Sequence, residues 1–233
     1  ALLAATLSEM APAGTIFIDE TITHRPAIVG HLQTDGPTSY FRVHGGLGQA
    51  MGVALGAKLA APDQTIVTTL GDGTFLYNPS VQALSFARTN NLATLTVIFN
   101  NRGYNAMRKD QEGYFPDGLA AKNDLWLGHP TTAFDYAELA QPFGAFGATV
   151  ETPAELPGVV ENPFAAIAEG RSALLNVMLK KPEGGTRPVA LFEETIKCSE
   201  TILGERITQA RHGHALHGLL SDSNSAYERG GSA

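Results

Sequence analysis

The stretch TIVTTLGDGTFLYNPSVQALSFARTNNLATLTVIFNN, residues 65–101, decides the fold. It opens on a β-branched run, TIVTTL (65–70), and passes through Gly71-Asp72-Gly73-Thr74. It closes on a second apolar run, ATLTVIF (93–99), that stops at Asn100 and Asn101. Between them PSVQALSFARTN (79–90) carries helical periodicity behind Pro79, a residue favoured at a helix start. ATLTVIF is almost continuously apolar, as a strand covered on both faces must be. Strand, helix and strand joined by short connections predict a βαβ unit.

The same alternation continues outward. TIFIDE (15–20) reads as a strand, and GLGQAMGVALGAKLA (46–60) as a helix buried around most of its circumference. The glycines of that helix cost propensity, which points to close backbone packing. FDYAELAQPFG (134–144) reads as helical and stops at Gly144, and ALLNVMLK (173–180) reads as the last strand. The expected class is α/β, a mostly parallel sheet with helices on both faces. Right-handed crossovers then put the strand C-termini on one edge, where such folds bind ligands. Residues 102–133 lack periodicity and read as a long loop, functional or mobile. Residues 1–181 are expected to form one domain. Residues 182–233 are expected to be a linker, a helical extension and a disordered tail.

Composition narrows the function. The formal net charge of −7 leaves no basic footprint for nucleic acid or an anionic membrane. No apolar run reaches the ~18 residues of a membrane span. One cysteine, Cys198, excludes a disulfide framework within the chain and fits a reducing compartment, so a cytoplasmic location is expected. The start ALLAATLSEMAP reads as an amphipathic helix, because it lacks a basic region and carries Glu9.

The chemistry sits at the strand ends. Asp72 lies between two glycines, which permit a tight turn and let backbone N–H groups approach an anion. Thr74 adds a hydroxyl, and Asn78 is expected to start a helix whose positive end favours phosphate. Asn100 and Asn101 end the neighbouring strand, so Asp72 and Asn101 are predicted to meet on one sheet edge. One carboxylate and one amide oxygen make a poor metal site alone. Phosphate oxygens would complete it for Mg²⁺, which takes few protein ligands. Gly-Asp-Gly by itself is usually only a turn. The joint pattern, with 26 residues between Gly73 and Asn100, is more specific.

GDGT followed by FNN resembles the diphosphate-binding motif of thiamine diphosphate enzymes. Residues 1–181 resemble the C-terminal, diphosphate-binding domain of the benzoylformate decarboxylase and acetolactate synthase group. The resemblance implies thiamine diphosphate and Mg²⁺ as cofactors. Metal ligation would come from the Asp72 carboxylate, the Asn101 side chain and the Gly103 carbonyl. Gly71, Gly73, Thr74 and Tyr104 would line the diphosphate. VHGGLGQAMGVALGA matches a second element: the Gly45 carbonyl would accept from the cofactor's 4′-amino group, beside Gly46. Leu47 would be the apolar wedge that bends the cofactor and so helps activate it. IDETITHR matches a third, with Thr23 on the diphosphate, though Ile22 departs from a hydroxyl residue; capping of the strand end by Thr23 or Asp19 is the competing expectation. His44, Leu76 and Tyr77 are candidates to face substrate, and Arg108 a candidate for a substrate carboxylate.

The resemblance also implies what is missing. The family's essential glutamate lies on a separate pyrimidine-binding domain, and Glu20 and Glu112 stand in the wrong contexts for it. The chain is therefore expected to hold half an active site, within a homo- or hetero-oligomer, dimer or tetramer. It reads as one subunit of a split enzyme or as the C-terminal part of a longer one. The implied activity is decarboxylation of a small 2-oxo acid, with or without carboligation. The alternatives are a 2-hydroxyacyl-CoA lyase-type cleavage, a non-catalytic cofactor-binding subunit, and an unrelated α/β nucleotide-binding module. NNRGYNAMR looks closer to benzoylformate decarboxylases and FLYN closer to acetolactate synthases. A metal site at His214 and His217, near His212, and a catalytic Cys198 are both disfavoured for want of partner residues.

Overall fold

The protein is described by a computed structural model over residues 1–125, 130–131 and 134–180. The strands are β1 (Ile16–Glu20), β2 (Tyr40–Arg42), β3 (Ile66–Gly71), β4 (Leu95–Asn100), β5 (Phe146–Val150) and β6 (Ala173–Met178). They form one sheet in the order β2-β1-β3-β4-β6-β5, with every neighbouring pair parallel. The helices are α1 (Leu2–Met10), α2 (Arg25–His31), α3 (Ala50–Ala60), α4 (Asp72–Tyr77), α5 (Ser80–Thr89), α6 (Asn105–Tyr114), α7 (Leu119–Asn123) and α8 (Leu156–Ala168). A 3₁₀ helix spans Tyr136–Phe143 and ends at Gly144, whose φ is +65°.

Alternation along the buried strands builds a core on each face of the sheet. Leu95, Val97 and Phe99 of β4 pack with Leu3 and Leu7 of α1, Ile28 of α2 and Val160 of α8. Ile98 packs on the other face with Ala54 of α3, Leu84 of α5 and Tyr136. All six residues of β4 are buried, which is why its sequence shows no alternation.

The strand order locates the site. From β1 the chain crosses through α2 to β2 on one side, then returns past β1 to β3 and continues through α5 to β4 on the other. β1 and β3 are thus neighbours whose following connections diverge, and the gap beyond their C-terminal ends is where open parallel sheets bind ligands.

Several expectations change. The helix at 46–60 starts only at Ala50, because Gly45 and Gly48 adopt φ of +115° and +100°. It buries one face, Ala50, Met51, Ala54 and Leu55, while Val53 and Leu59 are exposed. Gly52 and Gly56 have open space where a side chain would go, so packing among the described residues does not explain them. Gly48 is the close approach: a Cβ there would sit 2.3 Å from the Tyr77 carbonyl oxygen. Residues 102–133 are not one loop, since α6 and α7 lie within them. The turn at Gly71–Thr74 is itself the start of α4, and Asn78 closes that helix instead of opening the next.

Chain contacts divide the protein into residues 1–184 and 185–233. The expectations for 182–233, with Cys198 and the histidines at 212, 214 and 217, lie outside the described residues. Among the described residues no helix is long and apolar enough to cross a membrane.

Candidate functional site

Asp72 is the first residue of α4, directly after β3, and is 1% exposed. Its Oδ2 accepts the Gly103 N–H at 2.8 Å and the Thr131 hydroxyl at 2.7 Å. Burial pushes its carboxyl above the ordinary range, and these hydrogen bonds pull it back. Oδ2 is taken by these two donors, Oδ1 faces the Asn101 amide, and the backbone N–H groups of Gly73 and Asn101 also act on the carboxylate.

Asn101 follows β4 and is buried. Its Oδ1 accepts from Asn105 Nδ2 at 2.6 Å. The same position lies 2.7 Å from the Gly103 carbonyl oxygen and 3.3 Å from Asp72 Oδ1. Turning the amide over would let its nitrogen donate to those two oxygens, but would set it 2.6 Å from the Asn105 nitrogen. Turned over, the amide oxygen would still lie 3.3 Å from Asn105 Nδ2; in the orientation that keeps the 2.6 Å Asn105 hydrogen bond, the Asn101 oxygen faces two other oxygens. In that orientation the oxygens repel one another, and a cation between them would stabilise it. The edge of an octahedron with metal–oxygen distances of about 2.0–2.1 Å is about 3 Å, within the range seen here. The donors are hard and carry one carboxylate, which suits Mg²⁺ with phosphate oxygens better than zinc. Among the described residues no group of three His, Cys, Asp or Glu side chains offers a competing metal site.

The three oxygens stand at the floor of a cleft of about 140 Å³ at the divergence of β1 and β3. Thr23, Leu47, Gly71, Asp72, Gly73, Thr74, Tyr77, Asn101, Gly103 and Tyr104 all line it. The Tyr104 ring lies against Gly73 and meets Tyr77 edge-on, with centroids 6.1 Å apart. Leu47 is at the rim, 38% exposed. Gly45, Gly46, His44 and Leu76, expected at the cofactor or substrate, are exposed and do not line this cleft. The reason is local: the positive φ at Gly45 and Gly48 lets only Leu47 of that turn reach the rim. Arg108, a candidate for a substrate carboxylate, pairs with Glu112 at 2.7 Å along α6.

At the end of β1 the cap falls to Asp19 and not to Thr23. Asp19 caps the strand end, accepting the Thr21 N–H at 2.9 Å and its hydroxyl at 2.7 Å, while Thr23 turns to the cleft. Glu20 is occupied by backbone N–H groups of the turn before α3.

His24, Asn105 and Thr131 belong to the site and were not anticipated as such. His24 lines the cleft and packs on Phe99 with centroids 5.8 Å apart. Burial, then the charge of Lys109, push its pKa down to about 4, so it is neutral at pH 7. Its one sequence signal was its place directly after Thr23. Asn105 was visible only as an amide four residues beyond Asn101, and Thr131 lay in a segment without periodicity.

A family model described as "Thiamine pyrophosphate enzyme, C-terminal TPP binding domain" matches residues 23–177. Benzoylformate decarboxylase of Pseudomonas aeruginosa is 28% identical over 161 residues, 69% of this chain and 29% of that protein. The acetolactate synthase large subunit of Buchnera aphidicola (strain APS) is 27% identical over 144 residues, 60% of this chain and 23% of that protein. Among solved structures, the Rhodococcus jostii thiamine diphosphate-dependent 4-hydroxybenzoylformate decarboxylase superposes with a TM-score of 0.67 at 25% identity, over 78% of this chain and 32% of that one. The chain thus spans less than a third of each of these relatives.

Proposed function

The chain belongs to the thiamine pyrophosphate enzymes, whose C-terminal cofactor-binding domain it matches, and on that premise we propose that it forms the diphosphate- and Mg²⁺-binding half of an active site for 2-oxo acid decarboxylation, with or without carboligation. The observation that carries this reading is the juxtaposition of Asp72 Oδ1, the Asn101 side-chain amide and the Gly103 carbonyl in a cleft at the sheet's divergence.

Asp72, Asn101 and Gly103 would hold the Mg²⁺, with diphosphate oxygens and water completing its shell. Thr23, Gly71, Gly73, Thr74 and Tyr104 would surround the diphosphate. Leu47 would stand under the cofactor's rings as the apolar wedge, and the Gly45 carbonyl with Gly46 would approach them from the same turn. When bound, the thiazolium ring would supply the electron sink for loss of CO₂. Of the four residues considered for substrate contact, Tyr77 is the one that lines the cleft.

The cleft is small for a cofactor site. Small-molecule pockets usually run to about 300–1,000 Å³, and this one offers about 140 Å³. That supports a second surface, a pyrimidine-binding domain carrying the activating glutamate, closing over it in a dimer or tetramer. The test is calorimetry of pyrophosphate binding with and without Mg²⁺. Wild-type chain should bind in a Mg²⁺-dependent manner, and Asp72→Ala should abolish that dependence. Unchanged affinity in the variant would remove the metal assignment. Turnover of benzoylformate or pyruvate should appear only once the glutamate-bearing polypeptide is present.

A further inference from the structure

Glu20, the last residue of β1, is nearly fully buried, and every direction around its carboxylate is used. Oε1 accepts the N–H of Gly48 at 2.8 Å and of Gln49 at 3.0 Å. Oε2 accepts the N–H of Ala50 at 3.0 Å and Nδ2 of Asn78 at 3.0 Å. Asn78 completes the arrangement: its Oδ1 accepts the Met51 N–H at 3.1 Å, and Nδ2 also donates to the Thr74 carbonyl at 3.0 Å. The backbone N–H groups of residues 48–51, the entry to α3, are therefore all held by two side chains. One comes from β1 and the other from the end of α4.

Two consequences follow from the chemistry. A glycine-rich turn that opens a helix is normally a ready anion site. Here a carboxylate already fills it, so the α3 N-terminus is closed to phosphate. Meanwhile the pair bridges the turn that carries Leu47 to the helix that begins with Asp72. We propose that Glu20 is a positioning residue: it closes the α3 N-terminus to anions, leaving the Asp72 floor as the diphosphate site, and it fixes Leu47 relative to that floor. Closure of the α3 N-terminus stands without the cofactor reading above; the diphosphate site and the role of Leu47 rest on it.

The test uses the full chain and two probes, inorganic pyrophosphate and thiamine pyrophosphate, both with Mg²⁺. Glu20→Gln keeps the shape but turns an NH₂ group towards the Ala50 N–H and the Asn78 amide nitrogen. Charge-assisted hydrogen bonds are worth enough that losing one shifts an equilibrium about tenfold. Glu20→Gln should lower thiamine pyrophosphate affinity about tenfold and leave pyrophosphate affinity within about twofold. Adding Asn78→Asp, which restores an acceptor for the new NH₂, should recover part of the loss. Glu20→Ala should gain Mg²⁺-independent phosphate binding that sodium formate displaces. Equal losses for both probes, or no loss for either, would overturn the positioning role. A Glu20→Ala protein that stays folded and binds no phosphate without Mg²⁺ would overturn the closure. Wild-type chain that binds neither probe would instead refute the cofactor reading and the positioning role with it, while phosphate capture by Glu20→Ala would still establish the closure.

Discussion

Thr131→Val removes one hydroxyl and little volume, and its effect on Mg²⁺ can be worked from the contacts. Thr131 Oγ1 donates to Asp72 Oδ2 at 2.7 Å from 59 residues away, and the Gly103 N–H is the other donor to that oxygen. Together they fix the carboxylate so that Oδ1 faces Asn101. A hydrogen bond to a charged group contributes about 1.5–3 kcal/mol, which corresponds to about 10- to 100-fold in affinity. Groups that orient metal ligands typically account for about 10- to 100-fold in metal binding, so two independent estimates coincide. Mg²⁺ titrated into the chain with saturating pyrophosphate should bind Thr131→Val at least tenfold more weakly, and Thr131→Ser should restore wild-type affinity. Buried Tyr136 also hydrogen-bonds this hydroxyl, so valine should lower the melting temperature as well. Tyr136→Phe separates the two effects, since it frees the hydroxyl without touching Asp72 and should leave Mg²⁺ affinity unchanged. Mg²⁺ binding by Thr131→Val within twofold of wild type would refute the claim that the hydroxyl sets the carboxylate.

Leu47→Ala should slow exchange of the cofactor's C2 proton, followed by NMR in the assembled enzyme, and spare pyrophosphate affinity; an unaltered rate removes the wedge role. Gly48→Ala places a Cβ 2.3 Å from the Tyr77 carbonyl oxygen at a φ of +100°, and should cost at least about 2 kcal/mol in urea denaturation. Wild-type stability in that variant would contradict the turn geometry. His24 has its pKa pushed down to about 4 from the ordinary 6.5. The unfolded chain therefore takes up a proton that the folded one refuses, and stability falls as the pH drops from 6.5 towards 4. His24→Gln should flatten that decline in the urea midpoint; parallel curves for variant and wild type would refute it.

What the sequence made legible was local. β3 is a β-branched run and β4 an almost continuously apolar one, and Asp72, Asn101 and Gly103 stand at or just past their ends, so chain order alone brought them to one edge. Elements with weaker patterns were not legible. β5 is a half-buried edge strand containing Gly147, and α8 carries Pro157 at its start and Pro163 within it, which break the helical signal. α6 buries only Asn105 and so has no apolar periodicity to read. Contacts made by the tertiary fold were equally hidden. Glu20 meets Gly48 from 28 residues away, and Thr131 meets Asp72 across the sheet edge. Gly45 and Gly46 differ in the opposite sense. Their motif was legible, but the positive φ of the turn was not, and it is the turn that presents Leu47 and leaves them outside the cleft.

The distribution of polarity in the cleft bears on which half of the chemistry this chain performs. Its floor is polar and buried, with Asp72, Asn101, Thr74 and Asn105 all nearly inaccessible. Its rim is apolar and open: Ile22, Leu47, Tyr77 and Met107 line the cleft and are all exposed. A ligand with a charged tail and apolar rings would be gripped at the tail and left uncovered at the rings. The hydrophobic contribution of the rim scales with the area removed from water, at about 25 cal/mol per Å², and an open rim removes little. On the proposed function, most of the binding free energy available from this chain alone is therefore electrostatic and metal-dependent. Covering the rings, activating them and choosing the substrate fall to the second surface. The isolated chain should accordingly favour thiamine pyrophosphate over pyrophosphate by no more than the roughly tenfold that the Leu47 turn contributes, and the preference should grow when the second surface is added.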